Sequence, residues 1–212
     1  MNESAGNVFL VTAPSGAGKS SLVNALLKRD ETLQLSVSCT TRSPRDGEVD
    51  GKDYQFVSKT QFIQMRDNNE LLEWAQVHGN YYGTPRAPLS QALRLGQDVI
   101  LEIDWQGAQQ VRKLLLGVTG IFILPTSVAV LEQRLRARGK DSDAVIASRI
   151  EAASSEIAHA SEFEYVIINQ DFSVALAQLE HIVFAARLRY ARQAFANPAL
   201  FDAFGLKLAR KP

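Results

Sequence analysis

The residues with the clearest chemistry are Ala13-Pro14-Ser15-Gly16-Ala17-Gly18-Lys19-Ser20, with Ser21 directly after them. Glycines here let backbone N–H groups turn inward around phosphate oxygens, and a helix opening at Lys19 adds its positive end. Lys19 is placed to bridge phosphate oxygens and the Ser20 hydroxyl to reach Mg²⁺. Ala13 stands where this phosphate-loop pattern usually has its first glycine. Alanine is small, and the departure costs little where φ is negative. The chemistry is that of binding a nucleoside triphosphate. A second set is Arg42 and Arg45, three apart beside Pro44. Two guanidinium forks at that spacing can grip one phosphate monoester bidentately. Tyr54 and Tyr82 can add phenolic donors.

Such a loop must leave a strand and open a helix. Residues 8–12 form an apolar, β-branched run before it, and Leu22, Val23, Leu26 and Leu27 recur at helical spacing after it. The stretch from Ser38 to about Pro88 is different. It holds turn signals at Arg45-Asp46-Gly47, Asp50-Gly51 and Gly79-Asn80, a strand-like piece at 54–57, and one amphipathic stretch from Thr60 to Trp74. It reads as a small mixed insertion built around a site. Alternation then resumes. Residues 99–103 end in Asp104, 121–124 stop at Pro125, and 165–168 end in Asn169. These runs read as parallel strands covered by helices on both faces. Residues 130–158 form a helical, arginine-bearing stretch broken at Gly139-Lys140-Asp141, which suits a mobile flap or an ordinary helical hairpin. One last helix is expected from about Val174 to Phe195.

Further motifs name a family. Residues 36–45 read Ser-Val-Ser-Cys-Thr-Thr-Arg-Ser-Pro-Arg, and 47–54 read Gly-Glu-Val-Asp-Gly-Lys-Asp-Tyr. Glu73-Trp74-Ala75, Gly79-Asn80-Tyr81-Tyr82-Gly83-Thr84, Asp104-Trp105-Gln106-Gly107 and the stretch from Arg134 to Gly139 follow in order. This series closely resembles the guanylate kinase family from Val8 to about Arg192. The resemblance implies an α/β fold: a P-loop NTPase-type parallel sheet flanked by helices, with a small mixed α+β GMP-binding insertion and a helical lid. The expected division is a core of residues 1–37, 95–129 and 159–212, a GMP-binding subdomain at 38–94, and a lid at 130–158.

By resemblance, Arg42, Arg45, Tyr54 and Tyr82 hold the α-phosphate of GMP, and Ser38, Glu73 and Thr84 read guanine. The chemistry fits. Guanine offers two adjacent donors, N1–H and the 2-amino group, and one carboxylate can accept both. Adenine presents an acceptor at N1 instead. The Ser38 and Thr84 hydroxyls can donate to O6 or N7 or bridge other atoms. Asp104, at a strand end where ligands of open α/β sheets bind, is expected to orient an arginine and the guanine or its water. Glu102 stands where the family commonly has Asp, so that only a water-mediated share in Mg²⁺, with Asp104 as the other choice, is expected of it. Arg134, Arg138 and Arg149 match the lid-side arginines. Arg134 and Arg138 share a helix face, and Arg136 is expected to meet solvent. Asn169 is expected at the adenine. The implied reaction carries the γ-phosphoryl group of ATP, with Mg²⁺, onto GMP or dGMP. Lys19, Arg42, Arg134, Arg138 and Arg149 act by charge and alignment, and no general base is needed.

Bulk properties agree with an enzyme of this kind. The chain has 212 residues, 46% hydrophobic and 22% charged, with Lys+Arg and Asp+Glu both 23. A formal net charge of zero lacks the basic excess of a nucleic-acid binder. One cysteine, Cys39, rules out an internal disulfide and suits a reducing compartment, so a cytoplasmic protein is expected. Residues 1–7 do not read as a signal peptide, and no apolar run approaches the ~20 residues of a membrane span. The three histidines, His78, His159 and His181, are too scattered for structural zinc. The long last helix could support a homodimer. A non-catalytic binding module of the same family would typically lose Lys19 or the lid arginines. A kinase for another phosphorylated acceptor would not need Ser38, Glu73 and Thr84. A GTPase would carry Asn-Lys-x-Asp, which the chain lacks.

Overall fold

The structure is a computed structural model that describes residues 6–77, 79–137 and 142–206. Its first strand, β1 (Val8–Thr12), is buried along its whole length. Period-two alternation sends Phe9 and Val11 to one face of the sheet and Val8 and Leu10 to the other. A strand apolar on both sides needs cover on both sides. α1 (Lys19–Arg29) covers the first face with Leu22, Val23 and Leu26. A short β2 (Leu33–Leu35) returns the chain to the sheet.

The insertion then builds a sheet of its own. β3 (Cys39–Thr40) and β4 (Gln55–Phe56) are two residues each. α2 (Lys59–Asp67) opens in a capping box in which Ser58 and Gln61 satisfy each other's backbone N–H groups. β5 (Leu71–Val77) and β6 (Asn80–Pro85) form an antiparallel hairpin, with Val77 paired to Asn80. The order of this four-stranded sheet is β4-β3-β6-β5. Cys39, Phe62 and Leu71 form its small core.

Parallel alternation follows. α3 (Arg86–Arg94) leaves β6 directly and leads to β7 (Asp98–Glu102), α4 (Trp105–Leu114), β8 (Thr119–Leu124), α5 (Val128–Ala137) and α6 (Asp143–Ala158). A 3-10 turn (His159–Glu162), β9 (Tyr165–Ile168), α7 (Phe172–Arg187), α8 (Tyr190–Ala196) and α9 (Pro198–Ala203) complete the described chain. The main sheet is five-stranded and parallel, in the order β2-β7-β1-β8-β9. Leu176, Leu179 and Val183 of α7 join α1 on one face. Leu89 and Leu93 of α3 and Val111 of α4 cover Leu10, Leu101 and Phe122 on the other.

Three expectations are corrected. The amphipathic stretch from Thr60 to Trp74 is two elements, because Asn69 takes a left-handed backbone (φ 57) and ends the helical turn. Asparagine tolerates that region better than most residues. Leu71 and Leu72, which look like a helical stripe, are strand neighbours facing opposite ways, one into the insertion's core and the other into the main core. The last helix is not continuous. α7 stops at Arg187, Arg189 is extended (φ -59, ψ 142), and the freed carbonyl of Arg187 accepts from the Gln193 side chain at 3.0 Å. Finally, β9 is not covered on both faces. It is the sheet edge, and Tyr165, Val166 and Ile168 are exposed while Ile167 is buried.

At the end of the sheet away from the phosphate loop, Asp98 is only 4% exposed. A carboxylate at that depth needs partners. Arg187 Nε donates to its Oδ2 at 2.7 Å, while Asn7 donates from both its backbone N–H (2.7 Å) and its side chain (2.9 Å) to Oδ1. The same guanidinium pairs with Asp30 at 2.8 Å. One arginine thus ties α7 to β7 and to the end of α1. Replacing it by Arg187→Met leaves buried Asp30 without its cation and buried Asp98 with only Arg192, at 3.6 Å. The expected cost is about 2–4 kcal/mol of unfolding free energy, read as a lower urea midpoint with an unchanged denaturant slope.

Candidate functional site

β1 and β7 run parallel with Val11 beside Glu102, so the loop leaving β1 emerges next to the end of β7. The Thr12 hydroxyl fastens the two by donating to the Ile103 carbonyl at 3.0 Å. Within the loop the Ala17 N–H donates to the Pro14 carbonyl at 3.1 Å. Gly18 stands at the N-cap of α1 with φ 93, and a Cβ there would lie 2.6 Å from Asn169 Nδ2. Only glycine meets both demands. No side chain caps α1, which leaves its first N–H groups pointing at the cleft for an anion. Among the described residues Asn69 is the only non-glycine with positive φ, so Ala13 sits in ordinary backbone. Lys19 Nζ donates to the Ile103 carbonyl at 3.3 Å, and the Ser20 hydroxyl donates to Glu102 Oε2 at 2.8 Å.

A cleft of about 600 Å³ lies over this loop. The loop contributes Ala13, Pro14, Ser15, Gly16, Gly18, Lys19 and Ser20 to its wall. The insertion contributes Ser38, Arg42, Arg45, Tyr54, Glu73 and Tyr82, and the end of β7 contributes Glu102 and Asp104. Arg149 reaches it from α6. Ala17 is buried behind the loop, and Thr84 is buried beneath Glu73. A smaller cavity shares Gly16 and Gly18 and is lined by Ser21, Arg134 and Asn169. There Arg134 donates to the carbonyls of Ala17 (3.3 Å) and Asn169 (3.2 Å), and Asn169 Nδ2 donates to Ala17 O at 2.8 Å. Arg138 lies outside the described residues. Arg136 is exposed and pairs with Glu132 and Asp143.

Thr84 and Asp104 also make contacts within the protein. The Thr84 hydroxyl spends its proton on Glu73 Oε1 at 2.6 Å and so orients the carboxylate. Asp104 N-caps α4, accepting from the Gly107 N–H at 2.7 Å. The Lys19 ammonium is a charged neighbour.

Burial governs the electrostatics. It pushes the Glu73 carboxyl up to about 7; the Thr84 hydrogen bond and Lys19 oppose the rise, and Asp104 adds to it. Burial also raises Asp104, against the pull of the Gly107 N–H and of Lys19. The Cys39 thiol is pushed up to about 12 by burial and donates to the Gly83 carbonyl at 3.3 Å. It packs with Phe62 and Leu71, and burial favours the thiol over the thiolate.

Two charged residues gave no separate signal in the sequence. Glu48 accepts from Arg42 at 2.8 Å and from the Arg45 N–H at 2.7 Å. Burial works against its ionisation, yet these bonds hold its carboxyl below the usual range. It lies inside a motif read as a whole, and its spacing from Arg42 and Arg45 was the available hint. Glu156 of α6 accepts from the Ser15 N–H at 3.2 Å and lines the cleft. Burial raises its carboxyl, opposed by Ser15 and Lys19. Nothing in the helix pattern of 143–158 sets it apart from its neighbours.

Comparison with known proteins agrees with this geometry. Residues 5–186 match the family model described as guanylate kinase. The chain is 59% identical over 209 residues to a guanylate kinase of Bordetella pertussis, covering 99% of this chain and 97% of that one. It is 54% identical over 201 residues to a guanylate kinase of Cupriavidus metallidurans, covering 95% and 93%. Its fold matches the crystal structure of guanylate kinase from Anaplasma phagocytophilum with a TM-score of 0.77 at 33% identity, over 97% of this chain and 98% of that one. With the phosphate loop, the arginine-bearing insertion and the buried carboxylate assembled in one cleft, the chain belongs to the guanylate kinase family.

Proposed function

We propose that the cleft transfers the γ-phosphoryl group of ATP to GMP, giving ADP and GDP, with the residues above in the following roles. The observation that carries the reading is a single cleft with two phosphate-gripping sets, the loop with Lys19 and the pair Arg42 and Arg45, beside the buried Glu73 carboxylate. The loop N–H groups and Lys19 hold the triphosphate of ATP. Arg134, Asn169 and Ser21 form the adenine side. Arg42, Arg45, Tyr54 and Tyr82 hold the phosphate of GMP, and Arg42 is oriented beforehand by Glu48. Glu73 accepts from guanine N1–H and the 2-amino group, with Thr84 fixing the carboxylate and Ser38 beside it. Because these contacts read base and phosphate, dGMP is a second acceptor.

The nucleophile is an oxygen of the GMP phosphate, ionised at neutral pH, so no side chain need take a proton. What remains is to bring two polyanions into line, and Lys19 and the arginines do so by neutralising charge. Arg149 approaches from the lid, at 130–158, against the core and the GMP-binding subdomain at 38–94, and Arg138 is given the same role from its place in the sequence alone. Closure of the lid would exclude water from the γ-phosphoryl group. Ser20 and Glu102 present two hard oxygen donors at 2.8 Å from each other. That pair fits Mg²⁺, which takes one or two protein oxygens and completes its shell with phosphate and water. Bound there with ATP, Mg²⁺ would supply charge neutralisation at the β- and γ-phosphates. The enzyme is assigned to GMP recycling in cytoplasmic purine metabolism. Among the described residues no helix is long and apolar enough to cross a membrane.

A coupled ADP-release assay with Mg-ATP should give turnover with GMP and dGMP and none above background with AMP, CMP or UMP. Turnover with AMP at a comparable rate would remove the guanine role of Glu73. Lys19→Ala should lower kcat by about 10²–10³-fold, the usual loss of one preorganised positive donor, with the fold intact by circular dichroism. The pH dependence has a defined sign. Glu73 must be ionised to accept from guanine, and in the free enzyme its carboxyl titrates at about 7. Above that pH the KM for GMP should be flat. Below it, binding must expel a proton, and KM should rise by up to about tenfold per pH unit. GMP's own phosphate titrates near pH ~6, so the part of the profile due to the enzyme is the part that Glu73→Gln removes.

A further inference from the structure

β5 is the edge of the insertion's sheet, so one side of its backbone has no strand partner. At Trp74 that side is taken by a side chain from the core. Gln110 Oε1 accepts from the Trp74 N–H at 3.2 Å, and Gln110 Nε2 donates to the Trp74 carbonyl at 2.7 Å. One amide thus pairs both edge groups of the residue, as a neighbouring strand would. The Trp74 N–H belongs to the peptide that joins Glu73 to Trp74, so this contact fixes the plane that follows the Glu73 Cα. The ladder between β5 and β6 is irregular just before that point, with a register shift between Leu71 and Glu73. An irregularity of this kind re-aims a side chain and leaves the strand's own ladder less able to hold it.

The same helix touches the Glu73 side chain. Gly107 and Gln110 lie three apart on one face of α4. A Cβ at Gly107 would stand 2.4 Å from Glu73 Oε2 and 3.0 Å from its Cδ. The missing side chain at Gly107 therefore makes the seat for the carboxylate. Glu73 is held from the insertion by Thr84 and from the core by α4, on the seam between the two sheets.

We propose that Gln110 is a positioning residue for base selection: its amide registers β5 against α4 so that the Glu73 carboxylate stands at the guanine edge. The proposal rests on Glu73 as the guanine reader. Gln110 touches neither substrate. Its loss frees the Glu73–Trp74 peptide to rotate and lets β5 slide on the helix. Two hydrogen bonds to the base must form at once, so a shift near 1 Å weakens both.

The test uses the full-length enzyme with Gln110→Met, which keeps the length without the amide, and Gln110→Glu, which keeps an acceptor for the Trp74 N–H and loses the donor to its carbonyl. Kinetics are measured with GMP, with inosine monophosphate, which lacks the 2-amino group, and with varied ATP. For Gln110→Met the KM for GMP should rise roughly tenfold, with kcat at saturation and the KM for ATP little changed. The preference for GMP over inosine monophosphate should shrink several-fold, and Gln110→Glu should fall between this variant and the parent. An unchanged preference in both variants overturns the proposal, as does a loss that is equal for both acceptors and accompanied by a lower Tm, since that is a structural effect alone. Glu73→Gln separates the two readings. If it abolishes the preference while the Gln110 variants keep it, only the positioning role fails. If it too leaves the preference intact, the guanine role of Glu73 fails and the proposal falls with it.

Discussion

Val11 and Glu102 stand side by side because β1 and β7 run parallel, and the place of the glycine loop and of Lys19 follows from that pairing. Parallel neighbours end at the same edge of a sheet. The loop leaving β1 and the turn leaving β7 are therefore forced together, with Thr12 and Lys19 both donating to the Ile103 carbonyl. Lys19 opens α1, Asp104 caps α4, and the two helices start at the same edge. Phosphate binding at strand C-terminal ends is a general property of open α/β sheets. Here the apolar alternation of β1, which demands a helix on each face, produces it.

The insertion solves a separate problem. Its sheet has a core of only a few residues, too small to hold a carboxylate rigidly by packing. Rigidity comes instead from hydrogen bonds within the insertion and from the packing of α4 across the seam. Thr84 holds Glu73 from below, α4 seats it from the core side, and Glu48 holds Arg42 and the Arg45 backbone. A carboxylate buried in this way raises its own proton affinity, and the nearby charges of Asp104 and Lys19 pull in opposite directions. Burial thus pushes the Glu73 carboxyl up to about 7, where a surface glutamate would be fully ionised.

The cleft also carries acceptors in the positions where anions are expected. Glu156 accepts from the Ser15 N–H of the phosphate loop, and Lys19 donates to a backbone carbonyl. Buried N–H and ammonium groups require a partner, and the protein supplies its own. α6 brings Arg149 and Glu156 to the cleft together, two turns apart on one face. α6 therefore presents both a cation to the cleft and an acceptor to the loop.

Much of this was legible in the residues before any coordinates. The glycine spacing with Lys19 and Ser20 specifies a phosphate cradle because only glycine takes the backbone of Gly16 and Gly18. The apolar runs at 8–12, 99–103 and 121–124 specify buried parallel strands, because β-branched residues without alternation leave no solvent face. Local patterns failed where long-range contacts decide. Leu71 and Leu72 have helical spacing to Phe62 and Met65, yet Asn69 and the pairing of β5 with β6 make them strand residues. The run at 165–168 has core composition and lies at an edge, since a strand's place in a sheet is set by its neighbours. The continuous stripe from Val174 breaks at Arg187, whose side chain is committed to Asp30 and Asp98. The sequence by itself determined the backbone of the glycine loop, through demands that are local. Tertiary structure alone decided which groups hold Glu73, Arg42 and the loop in place. Glu48 acts within its own loop, whereas Gln110 and Glu156 act through hydrogen bonds between elements, which leave no period or spacing to read.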